Sequence, residues 1–258
     1  HPDTGEESTR TCDFLWFCTG YYRYDRGHMP DFPGSEDYQG ELVHPQFWDD
    51  DIEYEDKEVI VIGSGATAVT LVPSMAEEAD HITMLQRSPS YVMSLPEDDV
   101  ISEWLKRVLG DDIGSTLTRW KNVLRLMVFY QFSRRMPQVA RRYIISLVRD
   151  AVGDAVDVDT HFNPSYDPWD QRLCFVPDED LFDVLREGSA TMVTDHIERF
   201  TETGIELRSG RHLEADLVVS ATGLELVVAG GADIEVDGES IHPGEETMYK
   251  GAMLSSVP

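Results

Sequence analysis

Cysteine is scarce in this chain. Cys12, Cys18 and Cys174 are the only three in 258 residues, at spacings that match neither a disulfide scaffold nor a zinc site. No apolar run approaches the length of a bilayer span; the best, Leu126 to Tyr130, is far too short. Lysine occurs only at Lys57, Lys106, Lys121 and Lys250, and 49 acidic against 21 basic side chains leave a net charge of −28. The acid is spread over the whole length, which keeps a surface solvated and argues against a nucleic-acid partner. The opening His1-Pro2-Asp3 has neither a basic leader nor an initiator methionine, so no secretory signal is expected. These features predict a reduced, cytoplasmic protein without a metal. A hydrophobic content of 41% predicts a globular chain with one large or two modest domains.

The most informative stretch is Val59-Ile60-Val61-Ile62-Gly63-Ser64-Gly65-Ala66-Thr67-Ala68. A continuous β-branched run reads as a buried parallel strand, and it enters a glycine turn. Gly63 permits the turn, Gly65 lets backbone N–H groups approach a pyrophosphate, and Ala68 lets the next helix pack closely. With Ser64, Ala66 and Thr67 these form the expected dinucleotide site. A helix from Ala66 to about Ala79 would aim its N-terminal dipole at the phosphates. A second strand, His81 to Gln86, follows. No acid stands after it to accept from a ribose 2′-OH. Arg87 and Ser88 stand there instead, which favours the 2′-phosphate of NADPH.

Asp13-Phe14-Leu15-Trp16-Phe17-Cys18-Thr19-Gly20 repeats in frame as Asp216-Leu217-Val218-Val219-Ser220-Ala221-Thr222-Gly223. Both read as an acid, a short buried strand and Thr-Gly, and the second follows a hairpin predicted over 204–213 with a Ser-Gly turn. Between them lies a helical insertion. Val100, Ile101, Trp104, Leu105, Val108 and Leu109 follow helical spacing as far as Gly110-Asp111-Asp112. Trp120, Val123, Leu124 and Met127 form a second stripe. A third helix from Val139 to Val152 sets Tyr143, Ile144, Leu147 and Val148 on one face. The Met and aromatic content is expected to be core. The basic and aromatic stretch from Arg134 to Tyr143 is suited to peripheral contact with a membrane surface. The preferred reading is an arginine face that pairs with acids elsewhere. Pro164, Pro168 and Pro177 mark an irregular segment before a helix at 179–186 and a strand at 191–194.

Upstream of the glycine turn stands Tyr38-Gln39-Gly40-Glu41-Leu42-Val43-His44-Pro45-Gln46-Phe47-Trp48-Asp49. This resembles the signature of the class B flavoprotein monooxygenases, which include Baeyer–Villiger and flavin-containing monooxygenases. Tyr38 stands where phenylalanine is usual; Gly40, His44, Trp48 and Asp49 agree. Cys18-Thr19-Gly20 and Ala221-Thr222-Gly223 look like the two linkers between flavin and NADPH domains, and the tail Met248 to Pro258 resembles a return into the flavin domain. The family's first glycine fingerprint, which holds FAD, has no counterpart here, so the chain is expected to be truncated at both ends.

The resemblance implies an α/β fold: a Rossmann-like NADPH-binding lobe with a helical insertion, flanked by partial pieces of a second, FAD-binding lobe. The expected boundaries are 1–50 for a flavin-lobe remnant with linker and signature, 51–96 and 161–215 for the NADPH lobe, 97–160 for the insertion and 216–258 for the return. Baeyer–Villiger enzymes carry a Lys-Arg pair after a Pro-aromatic segment. Here Pro168-Trp169-Asp170-Gln171-Arg172 places Arg172 at the catalytic arginine and Gln171 at the lysine that helps bind the NADPH phosphate. The alternative for Arg172 is a salt bridge to Asp167 or Asp170.

The implied function is transfer of one oxygen atom from O2 to a small organic substrate through a C4a-(hydro)peroxyflavin. The reaction would be ketone Baeyer–Villiger oxidation or oxygenation at nitrogen or sulfur, with FAD and NADPH as cofactors. Two alternatives stand beside it: an NADP(H)-binding fragment without catalysis, and a two-lobed flavoprotein disulfide reductase. The latter needs paired redox cysteines, whereas Cys12 and Cys18 lie on or beside a predicted buried strand.

Overall fold

Both faces of the run Val59 to Ile62 are covered, which is why it carries no polar position. Val59 and Val61 enter one hydrophobic cluster, Ile60 and Ile62 another. The computed structural model describes residue 5, residues 7–249 and the backbone of residues 253–254. His1-Pro2-Asp3 and most of the tail beyond Tyr249 lie outside the described residues.

The strands are β1 (Tyr22–Gly27), β2 (Glu41–Val43), β3 (Glu58–Ile62), β4 (His81–Gln86), β5 (Tyr91–Leu95), β6 (Leu173–Pro177), β7 (Ala190–Thr194), β8 (Ile197–Thr201), β9 (Gly204–Leu207), β10 (His212–Glu214), β11 (Leu217–Ser220), β12 (Leu224–Leu226), β13 (Ile234–Val236), β14 (Glu239–Ile241), β15 (Met248–Tyr249) and β16 (Met253–Leu254). The helices are α1 (Ala66–Met75), α2 (Val100–Leu109), α3 (Asp111–Arg135), α4 (Pro137–Val152), α5 (Val158–His161) and α6 (Asp180–Glu187). The chain divides into two units. One comprises the described residues up to His28 with those from Leu224 onward; the other is Met29–Gly223.

The larger unit is built on a parallel sheet of order β2-β11-β3-β4-β7. Val61 lies beside Met84 on one side and Val219 on the other. α1 and α6 cover one face, and α4 packs beside them against α6 and β5; Val69, Val72, Ile144, Val148, Leu181 and Phe182 share that core. The antiparallel meander β8-β9-β10 covers the other, with Phe200, Ile205, Leu207 and Leu213 against Ile60 and Val218. The hairpin expected over 204–213 is β9–β10, closed where Gly210 adopts φ +84°. Residues 29–50 pack with this unit, since β2 pairs with β11 and Phe32 stacks on Phe200.

Several expectations are corrected. α1 ends at Met75, a turn short of Ala79; beyond it the Glu78 N–H folds back onto the Met75 carbonyl at 3.1 Å, and the Glu78 carbonyl accepts from the Asp56 N–H at 3.0 Å. The break between α2 and α3 is Gly110 alone, at φ +80°, and α3 starts at Asp111. α4 starts at Pro137, whose missing N–H costs nothing in a first turn. Its buried face is Ala140, Ile144, Ile145, Val148 and Val152, and Tyr143 and Leu147 lie on an exposed edge. The segment Phe14 to Phe17 is exposed coil and not a buried strand, because no described strand lies alongside it. Cys12 and Cys18 are exposed with it. In the smaller unit β1 pairs antiparallel with β12, and Arg26 donates to Glu225 at 2.9 Å.

The apolar stripes of α2 and α3 are not core. Trp104, Val108, Trp120, Leu124 and Met127 are all exposed. The two helices meet through small and polar surface. Gly114 lies so close to α2 that a Cβ there would be 2.5 Å from the Lys106 Cα, and Ser102 and Thr118 share a hydrogen bond of 2.9 Å. Asp99 caps α2 on Ser102 N–H and pairs with Lys121. The hairpin therefore closes without using either stripe.

Burial predicts the response to truncation. Ile60→Ala should cost about 2–5 kcal/mol in chemical unfolding, whereas Leu124→Ala should fall within about 0.5 kcal/mol of the parent. Equal losses would mean that the α3 stripe is packed.

Candidate functional site

The glycine turn sits at the C-terminal end of β3, where ligands of parallel sheets bind. Gly63 has φ +144°, and a Cβ on it would lie 2.5 Å from the Ala221 carbonyl oxygen. Only glycine permits both. Gly65 is the N-cap of α1 and offers no side chain to its first turn, while Ala66 and Thr67 are exposed there. Those backbone N–H groups are free to meet an anion. Ala68 is fully buried against the sheet. Ser64 Oγ bonds Ser90 Oγ at 2.9 Å, and its carbonyl accepts from the Cys174 thiol at 3.7 Å.

The signature upstream performs a structural task. His44 Nδ1 accepts from Gln46 N–H at 3.2 Å, which leaves the proton on Nε2 to donate to the Gly223 carbonyl at 2.9 Å. Tyr38 donates to the Ala215 carbonyl at 2.9 Å and packs on Phe200; burial raises its phenol pKa, so it stays protonated. A Cβ on Gly40 would meet the Asp216 carbonyl oxygen at 2.5 Å. Trp48 packs edge-on against Tyr54. Together these residues hold both flanks of β11 and the Thr222-Gly223 segment that leaves it. The Ser220 and Thr222 hydroxyls bond each other at 3.0 Å. In the smaller unit, Thr19 accepts from the Tyr24 hydroxyl at 3.0 Å and Gly20 takes φ +68°.

Arg172 comes to the glycine turn. Its Nη1 lies 2.8 Å from the place of a Cβ on Gly65. Among the described residues it has no ion-pair partner, and the two acids proposed as alternatives are held by others: Asp170 pairs with Arg134, and Asp167 accepts from Gln138 at 3.2 Å. The segment carrying Arg172 is fixed from several sides. Arg141 donates to Asn163 Oδ1 through two nitrogens, at 3.0 and 2.6 Å. The Tyr166 hydroxyl donates to the Arg172 carbonyl at 3.0 Å, and the Tyr166 backbone carbonyl accepts from the Tyr91 hydroxyl at 2.8 Å. Burial pushes the Tyr91 phenol up to about 12, which keeps that donor protonated. Trp169 adopts φ +73° and packs on Phe129 and Tyr130 of α3 and Phe175 of β6. A left-handed tryptophan costs about 1–3 kcal/mol unless its surroundings hold it, and here they do. The arginines from 134 to 142 thus pair in part with polar groups of this segment. Gln171 is exposed beside Arg172.

Arg87 and Ser88 are exposed just past β4, and Arg87 has no ion pair among the described residues. Next to them is a polar group that the sequence reading did not single out. Gln86 is 2% exposed and donates to the His161 carbonyl at 2.7 Å and to Thr194 Oγ1 at 2.9 Å. His161 Nδ1 bonds the same hydroxyl at 2.8 Å. The network joins α5 to the ends of β4 and β7. One polar residue closing an apolar strand was its only trace in the sequence. Burial holds the His161 imidazole below its ordinary pKa, with Asp157 opposing. Burial likewise raises the Cys174 thiol, opposed by Arg172. Among the described residues no cluster suited to a metal is present, and no helix is long and apolar enough to cross a membrane.

A family model described as flavin-binding monooxygenase-like matches residues 3–144. The chain is 50% identical over 255 residues to "FAD-containing monooxygenase EthA" of Mycobacterium tuberculosis (strain ATCC 25618 / H37Rv), covering 98% of this chain and 52% of that protein. It is 46% identical over 254 residues to "Probable FAD-binding monooxygenase AlmA" of Acinetobacter baylyi, covering 98% of this chain and 51% of that protein. The chain spans about half the length of the curated relatives it matches. Two solved structures share its fold. Oxidized steroid monooxygenase bound to NADP matches at TM-score 0.66 and 19% identity, over 86% of this chain and 49% of that one. An open crystal structure of cyclohexanone monooxygenase matches at TM-score 0.64 and 20% identity, over 83% and 50%.

The His161 network has a pH signature. An unfolded histidine takes a proton near pH 6.5, whereas the folded imidazole resists it, so acidification below about pH 6.5 favours the unfolded chain. The loss of stability on lowering pH through this window should be smaller in His161→Phe than in the parent. Denaturant unfolding at several pH values measures it, and parallel curves would remove His161 from the account.

Proposed function

Since this chain belongs to the flavin-binding monooxygenase-like family, we propose that it carries the NADPH-binding part of a flavin-dependent monooxygenase. The enzyme would insert one oxygen atom from O2 into a small organic substrate, by ketone Baeyer–Villiger oxidation or by oxygenation at nitrogen or sulfur. One observation carries this reading. In a chain of net charge −28, two guanidinium groups at the sheet's binding edge, Arg87 and Arg172, have no carboxylate partner among the described residues. Cations are left so where an anion is to be bound, and a pyrophosphate with a 2′-phosphate fits both.

Each residue then has a task. Gly65 leaves space for the pyrophosphate, and the N-terminus of α1, at Ala66 and Thr67, offers N–H groups and a favourable dipole. Ser64 shapes the turn through Ser90. Arg87 holds the 2′-phosphate with Ser88 as an added donor. Gln171 contributes a neutral amide where the resemblance expects a lysine, so the phosphate charge falls on Arg87. The Arg172 guanidinium donates to anionic oxygen above Gly65. When bound, FAD reduced by NADPH supplies the activation of O2. The smaller unit is assigned to the FAD lobe, with Thr19-Gly20 and Thr222-Gly223 as linkers. A cytoplasmic setting, in which the three thiols stay reduced, belongs to the same proposal.

A second reading, NADP(H) binding without catalysis by this stretch alone, has one observation in its favour. Among the described residues of the smaller unit no helix follows a glycine turn, so no seat for a flavin pyrophosphate is among them.

The two arginines separate by cofactor. Arg87→Ala should weaken NADPH binding by roughly ten- to a hundredfold, the worth of one charged contact, and leave NADH nearly unchanged. Isothermal titration of the parent and variant with each cofactor measures this; equal losses would remove the 2′-phosphate assignment.

Arg172→Ala should weaken both cofactors alike, because the pyrophosphate is common to them, by about tenfold or more. In a chain completed with the flavin-lobe segments, it should also divert oxygen to hydrogen peroxide, read as peroxide released per NADPH consumed. Unchanged affinities together with unchanged coupling would return Arg172 to a structural role.

A further inference from the structure

We propose that the α2–α3 hairpin seats the protein on an anionic lipid surface, with its outward apolar stripes in the interface. Along α3, Leu117, Trp120, Leu124 and Val128 recur at three- and four-residue intervals, which puts them on one face. Trp120 is 59% and Val128 68% exposed; on α2, Trp104 is 58% exposed beside Val108. The hairpin consumes none of this surface, because its own contact runs through Ser102, Lys106, Gly114 and Thr118. The stripe rises about 17 Å from Leu117 to Val128, and Trp104 and Val108 add exposed apolar surface on the neighbouring helix.

Charge decides which surface. From Val100 to Arg135 there are seven cations and three acids, in a chain that has 49 acids against 21 cations overall. No acid occurs between Asp112 and Asp150. Lys106, Arg107, Arg119, Arg125 and Arg135 have no carboxylate partner among the described residues. The rest of the protein would be repelled by anionic lipid, and this hairpin alone would be drawn to it. A second copy of the chain suits the face less, since a two-fold contact would set cation against cation. No described helix is long and apolar enough to cross, so the hairpin lies in the interface plane, with tryptophan at the headgroup level and basic side chains toward phosphate. This does not depend on the reading of the nucleotide site.

The test is sedimentation of the chain with vesicles made of equal parts phosphatidylcholine and phosphatidylglycerol, compared with phosphatidylcholine alone. The chain should bind the mixed vesicles at least about tenfold more strongly than the neutral ones, and molar salt should weaken that binding. The double variant Trp120→Glu, Leu124→Glu should lose about tenfold or more on mixed vesicles. Both positions are exposed, and an unchanged unfolding transition certifies that the variant is folded. Arg119→Gln with Arg125→Gln should reduce the preference for anionic lipid and leave residual binding to neutral lipid unaltered. Absence of anion-dependent binding by the parent, or equal binding by the glutamate variant, overturns the proposal. So does self-association in sedimentation velocity that the glutamate variant abolishes while vesicles bind neither protein; that result assigns the face to a second copy. A longer chain carrying the further half that its relatives possess must also bind. Failure there would mean that this half covers the stripes.

Discussion

The backbone of Gly63 and the carbonyl of Ala221 approach so closely that no side chain fits between them. This contact couples the turn after β3 to the segment leaving β11. Parallel pairing keeps the two strands in register from Leu217 beside Val59 to Ser220 beside Ile62. The glycine turn is therefore held by its neighbour strand as well as by its own chain. His44 adds a third point by donating to Gly223, and Asp216 a fourth, because its carboxylate accepts the Glu58 N–H at 3.0 Å. The phosphate seat proposed at this turn works only if the backbone does not yield. Here the constraint comes from packing around two glycines and a small linker.

The placement of Arg172 rests on a different kind of support. Its segment has almost no regular structure, and side chains from three helices and strands hold it: Arg134 and Gln138 beside Asp170 and Asp167, Arg141 on Asn163, Tyr91 under Tyr166. The helical insertion is thus a buttress for the site as well as an appendage. Arg134 and Arg141 serve in that task, whereas Arg107, Arg119 and Arg125 have no carboxylate partner among the described residues.

Much of this was legible from residues alone. The β-branched run, the glycine turn and the strand from His81 to Gln86 follow from steric rules that act within a few residues. So does the Ser-Gly hairpin. The signature around Gly40 and His44 was legible as a pattern. Its physical task was not, because the partners of His44 and Tyr38 lie some 180 residues away, at Gly223 and Ala215. The Gln86–His161–Thr194 network was hidden for the same reason. Each of its members is unremarkable in sequence, and only the parallel pairing of β4 with β7 brings them together.

Periodicity showed which residues of α2, α3 and α4 share a face, and composition showed that the insertion is basic in an acidic chain. Neither says what lies opposite that face. The tertiary structure decided that Ile144 and Val148 enter the core, that Trp104 and Trp120 meet solvent, and that Phe14 to Phe17 find no described strand to join. Sequence by itself determined the glycine turn, because a turn is set by local backbone sterics. Only the tertiary structure decided burial and the reach of Arg172 to Gly65, because both depend on which distant elements pack against one another.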